Sequence, residues 1–203
     1  MLPIRNPSGR QGRSAQAGIS LLELLIAGVV FVVGALAVMA LVSTSIATNN
    51  RNKVDSTKAM LAEAVLEQVN STVVGSGTAN ISDCAGTTFI IETAAGGSKL
   101  QGSGTHPNDT LGSDIDFTEA SPPADYHMDY VVTSPCTSSG TYIATYDLRW
   151  HVDQVGAGAG TLTNSFLVTV AARLKGTSPG GSELSGVYFS LPVNLRVVLG
   201  RPE

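Results

Sequence analysis

The stretch that decides the fold is residues 18–47, GISLLELLIAGVVFVVGALAVMALVSTSIA. It carries one charged side chain, Glu23, and every residue from Leu24 to Ala47 is uncharged. The 29 residues from Ile19 to Ala47 would form a helix roughly 43 Å long, whereas a bilayer core of roughly 30 Å needs about 20 residues. The apolar core of a cleaved secretory signal is shorter, at about 7–15 residues. The stretch therefore predicts a membrane-spanning helix.

The 18 residues that precede this helix are basic. They contain Arg5, Arg10 and Arg13 and no acidic residue, so their removal would move the formal net charge from −4 to −7. Their positive charge favours a cytoplasmic N-terminus and an exported body. The acidic balance of that body argues against nucleic-acid binding, because nothing in it would neutralise a run of phosphates.

Glu23 is the unusual residue of the apolar stretch. A carboxylate deep in a spanning helix costs of order 2.5–3.5 kcal/mol, and such a residue is by default a functional hypothesis. The alternative is a glutamate near the membrane surface that reaches back to the lipid headgroups, since it lies five residues into the apolar run.

The run GISLLELLIA, residues 18–27, resembles the leader junction of type IV prepilins and pseudopilins. That family has a short basic leader, a Gly, a hydrophobic first mature residue and a Glu at the fifth mature position. The prepilin peptidase of the family cuts after the Gly and methylates the new amine. The resemblance implies that Gly18 is the cleavage residue, that Ile19 is the new N-terminus and that Glu23 is the assembly residue. The first mature residue would be Ile19 rather than the Phe that is common in the family, and this difference bears on how efficiently the new amine is methylated.

The resemblance implies a structural protein rather than an enzyme. No Pro interrupts residues 19–74, where major pilins often carry a helix-kinking proline, and this favours a minor pilin that joins or primes assembly of a type IV pilus. Its partners would be other pilin-like subunits, the prepilin peptidase and the inner membrane, with a periplasmic C-terminal domain and later a place in the pilus. Two alternatives stay open: a minor pseudopilin of a type II secretion system, and a membrane-anchored periplasmic enzyme or binding module with an uncut anchor.

The rest of the chain predicts an amphipathic helix followed by a β-rich domain. Residues 48–74 lack Pro and Gly, Gly75 and Gly77 end the helix, and one side carries the apolar stripe Val54, Leu61, Val65, Val69 and Val73, widened by Ala62 and Leu66. In residues 75–203 the strand candidates are 87–91, 127–133, 142–152, 166–174, 187–191 and 193–199. The predicted fold class is α+β, with a long N-terminal helix packed on an antiparallel sheet of four or five strands. The order of these strands also looks like that of PilV-type minor pilins.

Cys84 and Cys136, the two cysteines of the chain, both follow the spanning segment. An exported body would place them in an oxidising compartment, so we predict a disulfide between them; two buried free thiols are the alternative. The bond would stabilise the fold by roughly 4 kcal/mol in the chain-entropy treatment.

The sequence contains no recognisable catalytic constellation, phosphate-binding loop or metal triad. The acidic residues between 108 and 129 match no calcium-loop template, so a solvated acidic loop is favoured over a calcium site. His106, His127 and His151 lack the spacing of zinc ligands. We therefore predict no cofactor and no metal.

Replacement of Gly18 by Glu is expected to block processing, because the implied cut follows this residue. Electrophoretic mobility and mass spectrometry of the N-terminal peptide measure the outcome, with the wild-type chain expected to begin at Ile19. A Gly18→Glu chain that still shows the mature mobility would contradict the assignment.

Overall fold

The computed structural model describes residues 20–102, 113–155, 165–176 and 191–200. The chain divides into two compact units, Met1–Thr48 and Asn49–Glu203. One helix, α1 (Leu21–Ser71), runs through the boundary between them. The other elements are β1 (Thr78–Ser82), β2 (Thr88–Glu92), β3 (Gly96–Gly97), a short 3-10 helix (Ala124–Tyr126), β4 (His127–Ser134), β5 (Thr141–Val155), β6 (Ser165–Gly176) and β7 (Val193–Gly200).

Helix α1 ends three residues earlier than the sequence predicts. The backbone amide and the hydroxyl of Thr72 both donate to the Val69 carbonyl oxygen, at 3.3 and 3.0 Å, and close the last turn. The prediction that Val73 belongs to the buried stripe is wrong, because Val73 lies beyond the helix and is 46% exposed. Val74 is buried instead, since the change of backbone direction moves the next side chain into the core.

The strands form an antiparallel five-stranded sheet and a separate hairpin. In the sheet, β5 pairs with β4 and β3 along one edge and with β6 along the other, and β7 follows β6. The predicted α+β fold is thus confirmed. Strands are present at five of the six predicted positions; of the sixth candidate, 187–191, residues 187–190 lie outside the described residues. Strand β1, which pairs with β2, was not among the predicted strands; its alternation is carried by only two apolar residues, Ala79 and Ile81, both small or half-buried within a polar stretch.

The stripe on α1 packs against one face of this sheet. Leu61, Ala62, Val65 and Val69 are buried in one cluster with the inward side chains of β5 and β6, which include Leu148, Trp150, Val152, Val168 and Val170. The two alternating faces predicted for these strands therefore line the core. Each fully buried large apolar side chain stabilises the fold by about 1.5–3 kcal/mol, so this cluster holds the second half of α1 on the sheet.

The opposite face of the sheet is also covered, which the sequence did not indicate. Asp147 and Arg149 are almost fully buried there. The Arg149 guanidinium pairs with Asp147, and its Nη1 donates to the carbonyl oxygens of Asp116 and Glu119 at 3.3 and 3.1 Å. Phe117 lies against Arg149 and Arg173, with ring-centroid distances of 5.1 and 4.8 Å. The acidic segment 113–119 thus serves as a lid on the sheet.

The β1–β2 hairpin is fastened to the rest of the body by several contacts. The predicted disulfide is present and joins Cys84, between β1 and β2, to Cys136, between β4 and β5. The buried Thr93 hydroxyl donates to the Gly77 carbonyl oxygen at 2.6 Å and closes the base of the hairpin, and the Thr93 carbonyl oxygen accepts from the amide of Gly75, which precedes the hairpin, at 2.8 Å. The Trp150 indole donates to the Glu92 carbonyl oxygen at 3.0 Å. A disulfide and several hydrogen bonds therefore hold the hairpin in place together.

Gly75→Ala is expected to destabilise the fold by about 2–5 kcal/mol, because a positive φ and an overpacked contact add together. Gly75 has a φ of +91°, and a Cβ there would lie 2.4 Å from Cζ of Phe166. Gly102→Ala is the matched control, since Gly102 has a φ of +85° and no neighbouring atom within 4 Å of such a Cβ. Denaturant unfolding of the full chain in detergent, followed by circular dichroism, compares the two. Equal losses of unfolding free energy in Gly75→Ala and Gly102→Ala would show that the contact with Phe166 contributes nothing.

Candidate functional site in the N-terminal helix

Glu23 lies in the first turn of α1 and is exposed. The first backbone hydrogen bond of this turn runs from the Leu24 amide to the Ser20 carbonyl oxygen at 3.1 Å. A carboxylate at this end of a helix is favoured by the unpaired amides of the first turn and by the helix dipole. Gly18 and Ile19, the predicted processing residues, lie outside the described residues.

The side chains that follow Glu23 form an apolar surface on every side of the helix. From Leu21 to Ile46 the large apolar side chains are more than half exposed: Leu21, Leu22, Leu24, Leu25, Ile26, Val29, Val30, Phe31, Val32, Val33, Leu36, Val38, Met39, Leu41, Val42 and Ile46. A helix that is apolar all round belongs in a membrane or in the interior of an assembly. The helix is long and apolar enough to cross a membrane.

Two threonine hydroxyls in this part of the helix are hydrogen-bonded to the helix backbone. The Thr44 hydroxyl donates to the Leu41 carbonyl oxygen and the Thr48 hydroxyl to the Thr44 carbonyl oxygen, both at 2.9 Å. Such bonds remove the cost of placing a hydroxyl in hydrocarbon. No hydrogen bond of the Glu23 carboxylate is present among the contacts of the described residues, and Glu23 is the one charged side chain from residue 21 to residue 50.

Two glycines leave room for a neighbouring helix. A Cβ added at Gly28 or Gly34 would meet no atom within 4 Å. Small residues let the backbones of two apolar helices approach closely, and van der Waals contact then replaces the contact with lipid. Gly28 and Gly34 therefore leave low points on this apolar surface, whose only charged group from residue 21 to residue 50 is the Glu23 carboxylate.

Four of the acidic residues weighed as calcium ligands make contacts within the fold, and Asp109 lies outside the described residues. Asp114 pairs with Arg196 and Asp129 with Lys175, while Glu119 accepts from the Lys99 amide. Hydrogen bonds from the Thr118 hydroxyl and amide lower the pKa of Asp116 below its usual value. In residues 20–102, 113–155, 165–176 and 191–200, no group of three or more His, Cys, Asp and Glu side chains could hold a metal ion.

The histidines take structural positions where they are described. The His151 Nδ1 donates to the Ser98 carbonyl oxygen at 2.7 Å, and its Nε2 lies 3.1 Å from Asp153 Oδ1. The His127 ring contacts the Pro123 carbonyl oxygen. His106 lies outside the described residues. Trp150 is completely buried and belongs to the core.

Sequence reasoning missed one charged residue that joins α1 to the sheet domain. Lys58 is 1% exposed, and its ammonium group contacts Asp55 Oδ1 and the Leu191 carbonyl oxygen, each at 2.7 Å. Nothing in the sequence marks it, because Lys58 looks like any solvent-facing lysine of an amphipathic helix. Only the position of residue 191 next to the helix reveals its role.

Comparison with known proteins finds no matching family model, no matching curated protein and no matching solved structure. The functional argument therefore depends on the residues and contacts of this chain.

Val33→Arg is expected to lower the membrane-integrated fraction of the chain, because an arginine at the centre of a spanning helix costs about 2.5–3.5 kcal/mol. Thr48→Arg is the control, since a long basic side chain near the end of the span reaches the interface at little cost. Alkaline carbonate extraction of membranes measures the integrated fraction. Loss in both variants, or in neither, would contradict a span centred on Val33.

Proposed function

We propose that this chain is a structural subunit of a type IV pilus-like filament, most similar in role to a minor pilin. The observation that carries the proposal is the junction at residues 18–23, a Gly, a hydrophobic residue and a Glu, placed directly before a long helix whose apolar side chains are exposed. A basic leader precedes the junction and a folded α+β body follows the apolar part of the helix.

The proposed sequence of events begins in the inner membrane. The prepilin peptidase removes residues 1–18, and the apolar helix holds the chain in the bilayer with its body in the periplasm. The cut lies on the cytoplasmic side of the apolar run, so the helix stays attached and its tip gains a charged amine at Ile19. The helix then leaves lipid and packs against the helices of other pilin-like subunits at the cell surface.

Glu23 directs this packing in our proposal. A carboxylate buried among helices is costly unless it is paired and hydrogen-bonded. The Ile19 amine of a neighbouring subunit supplies the opposite charge at one axial offset only. The pair therefore selects register more than it adds stability, as buried polar groups do in other helical assemblies.

The body has the features of an exported structural domain. The Cys84–Cys136 disulfide fits an oxidising compartment, and in segment 113–119 Asp114 pairs with Arg196 and Glu119 accepts from the Lys99 amide. A pseudopilin of a type II secretion system would use the same junction and helix. Filament composition separates the two, because a pilus subunit co-purifies with sheared surface pili.

Glu23→Ala is expected to leave cleavage and membrane insertion intact and to reduce incorporation into filaments several-fold, because the Ile19 amine of the neighbouring subunit loses its partner and is left unpaired. Glu23→Asp tests the need for reach, since it keeps the charge on a shorter side chain. Ser20→Ala, a neutral change in the same turn, is the matched control.

Quantitative immunoblotting of sheared filaments against whole membranes measures incorporation, and intact-mass measurement of the membrane fraction reports processing. Normal incorporation of Glu23→Ala would refute the register role. A mature chain that still begins at Met1 would refute the whole proposal and favour an anchored periplasmic module.

A further inference from the structure

The two sulfur atoms of the disulfide come from residues with very different exposure. Cys84 is 7% exposed and lies in the turn between β1 and β2. Cys136 is exposed and belongs to residues 134–139, all of which are exposed, in the connection between β4 and β5. The bond therefore has one end in the protein and one end at the surface.

The body keeps other contacts around this bond. The Cys84 amide donates to the Val131 carbonyl oxygen at 3.1 Å, and Asp83 accepts from the amides of Val131 and Thr87. The Trp150 indole holds the far end of the hairpin through Glu92. These bonds do not involve sulfur, so opening the disulfide leaves the hairpin attached to β4 and β5.

We propose that Cys136 is a thiol-exchange site of the folded protein, at which a thiol–disulfide oxidoreductase forms its mixed disulfide. Exchange requires a thiolate to attack one sulfur in line with the bond, while the other sulfur leaves. An attacking thiolate from solvent can reach Cys136, whereas the body covers Cys84. Cys136 Sγ is thus the sulfur attacked, and Cys84 Sγ is the leaving group. The proposal goes beyond filament assembly and holds whether or not the chain enters a filament.

The step balances with a dithiol partner. The first partner thiolate forms a bond to Cys136 Sγ, the Cys84–Cys136 bond breaks and Cys84 leaves as a thiolate. The second partner thiolate then attacks the first partner sulfur and releases Cys136. The partner is oxidised by two electrons to a disulfide, the protein disulfide is reduced to two thiols, and the two thiol protons pass to the cysteines. In the reverse direction the Cys84 thiolate closes the bond on Cys136.

Adduct mapping on the native protein tests the site. The full chain in detergent is treated with glutathione, quenched with acid and digested with trypsin. Cleavage at Lys58, Lys99 and Arg149 places Cys84 in peptide 59–99 and Cys136 in peptide 100–149. We expect glutathione on peptide 100–149 in at least about tenfold excess, because access decides which sulfur is attacked, and a ratio near one in urea. Similar adducts on both peptides of the folded chain, an excess on 59–99, or no adduct before unfolding would overturn the proposal.

Two single-cysteine variants give a second measurement. Cys84→Ser leaves the Cys136 thiol and Cys136→Ser leaves the Cys84 thiol, and N-ethylmaleimide labelling compares their rates, with circular dichroism as the check on folding. We expect fast labelling in Cys84→Ser and slow labelling in Cys136→Ser until urea is added. Equal rates in the two folded variants would contradict the proposal; if either variant fails to fold, the native adduct map decides.

A trapping experiment tests the partner class. A thioredoxin-type oxidoreductase with its second active-site cysteine replaced by serine is incubated with the native full chain, since it can form the mixed disulfide but cannot resolve it. A trapped adduct on peptide 100–149 is the expected product. An adduct on peptide 59–99, or no adduct while glutathione reacts at Cys136, would refute the oxidoreductase assignment.

Discussion

One uninterrupted helix has to satisfy two different surroundings, and the rest of the structure depends on this constraint. Its first part, from Leu21 to Ile46, exposes apolar side chains all round, whereas its second part buries only the stripe from Leu61 to Val69. The sheet covers that stripe and thereby gives the second part a fixed position on a folded body. The first part has no such cover among the described residues, and burial of its surface requires lipid or other helices.

The body is built so that both faces of its sheet are covered. An antiparallel sheet commonly has one face in water, but here segment 113–119 and the buried Asp147–Arg149 pair occupy the face opposite the helix. Arg149 satisfies the backbone carbonyls of that segment, which an aliphatic residue could not do. These hydrogen bonds offset the free-energy cost of burying the charge pair. The pair therefore fixes where the segment lies more than it adds stability. Asp114 and Glu119 of this segment also make contacts within the fold, with Arg196 and with the Lys99 amide.

The proposed assembly and the proposed thiol exchange use different parts of the chain. Glu23 directs contacts between helices, whereas the disulfide joins the hairpin to the sheet in the body. The hairpin is also held by Asp83, Thr93 and Trp150. The proposed thiol exchange therefore involves none of the residues of the apolar part of the helix.

The sequence by itself determined the elements whose signals are local. The apolar run after residue 18, the stripe on the second half of the helix and the alternating strands β5, β6 and β7 follow from the period of side chains along a helix or a strand. The disulfide was predicted because the chain has two cysteines, both after the spanning segment, and therefore one possible intramolecular pairing. Tertiary structure alone decided which polar residues are buried and where backbone groups find partners. Lys58 beside Leu191 and Arg149 beneath segment 113–119 depend on residues distant in the chain. The early end of α1 at Ser71 depends on local hydrogen bonds from Thr72, which carry no periodic signal. Periodicity reports which side of an element is apolar, but it carries no information about which distant backbone carbonyl will lie within reach of a charged side chain.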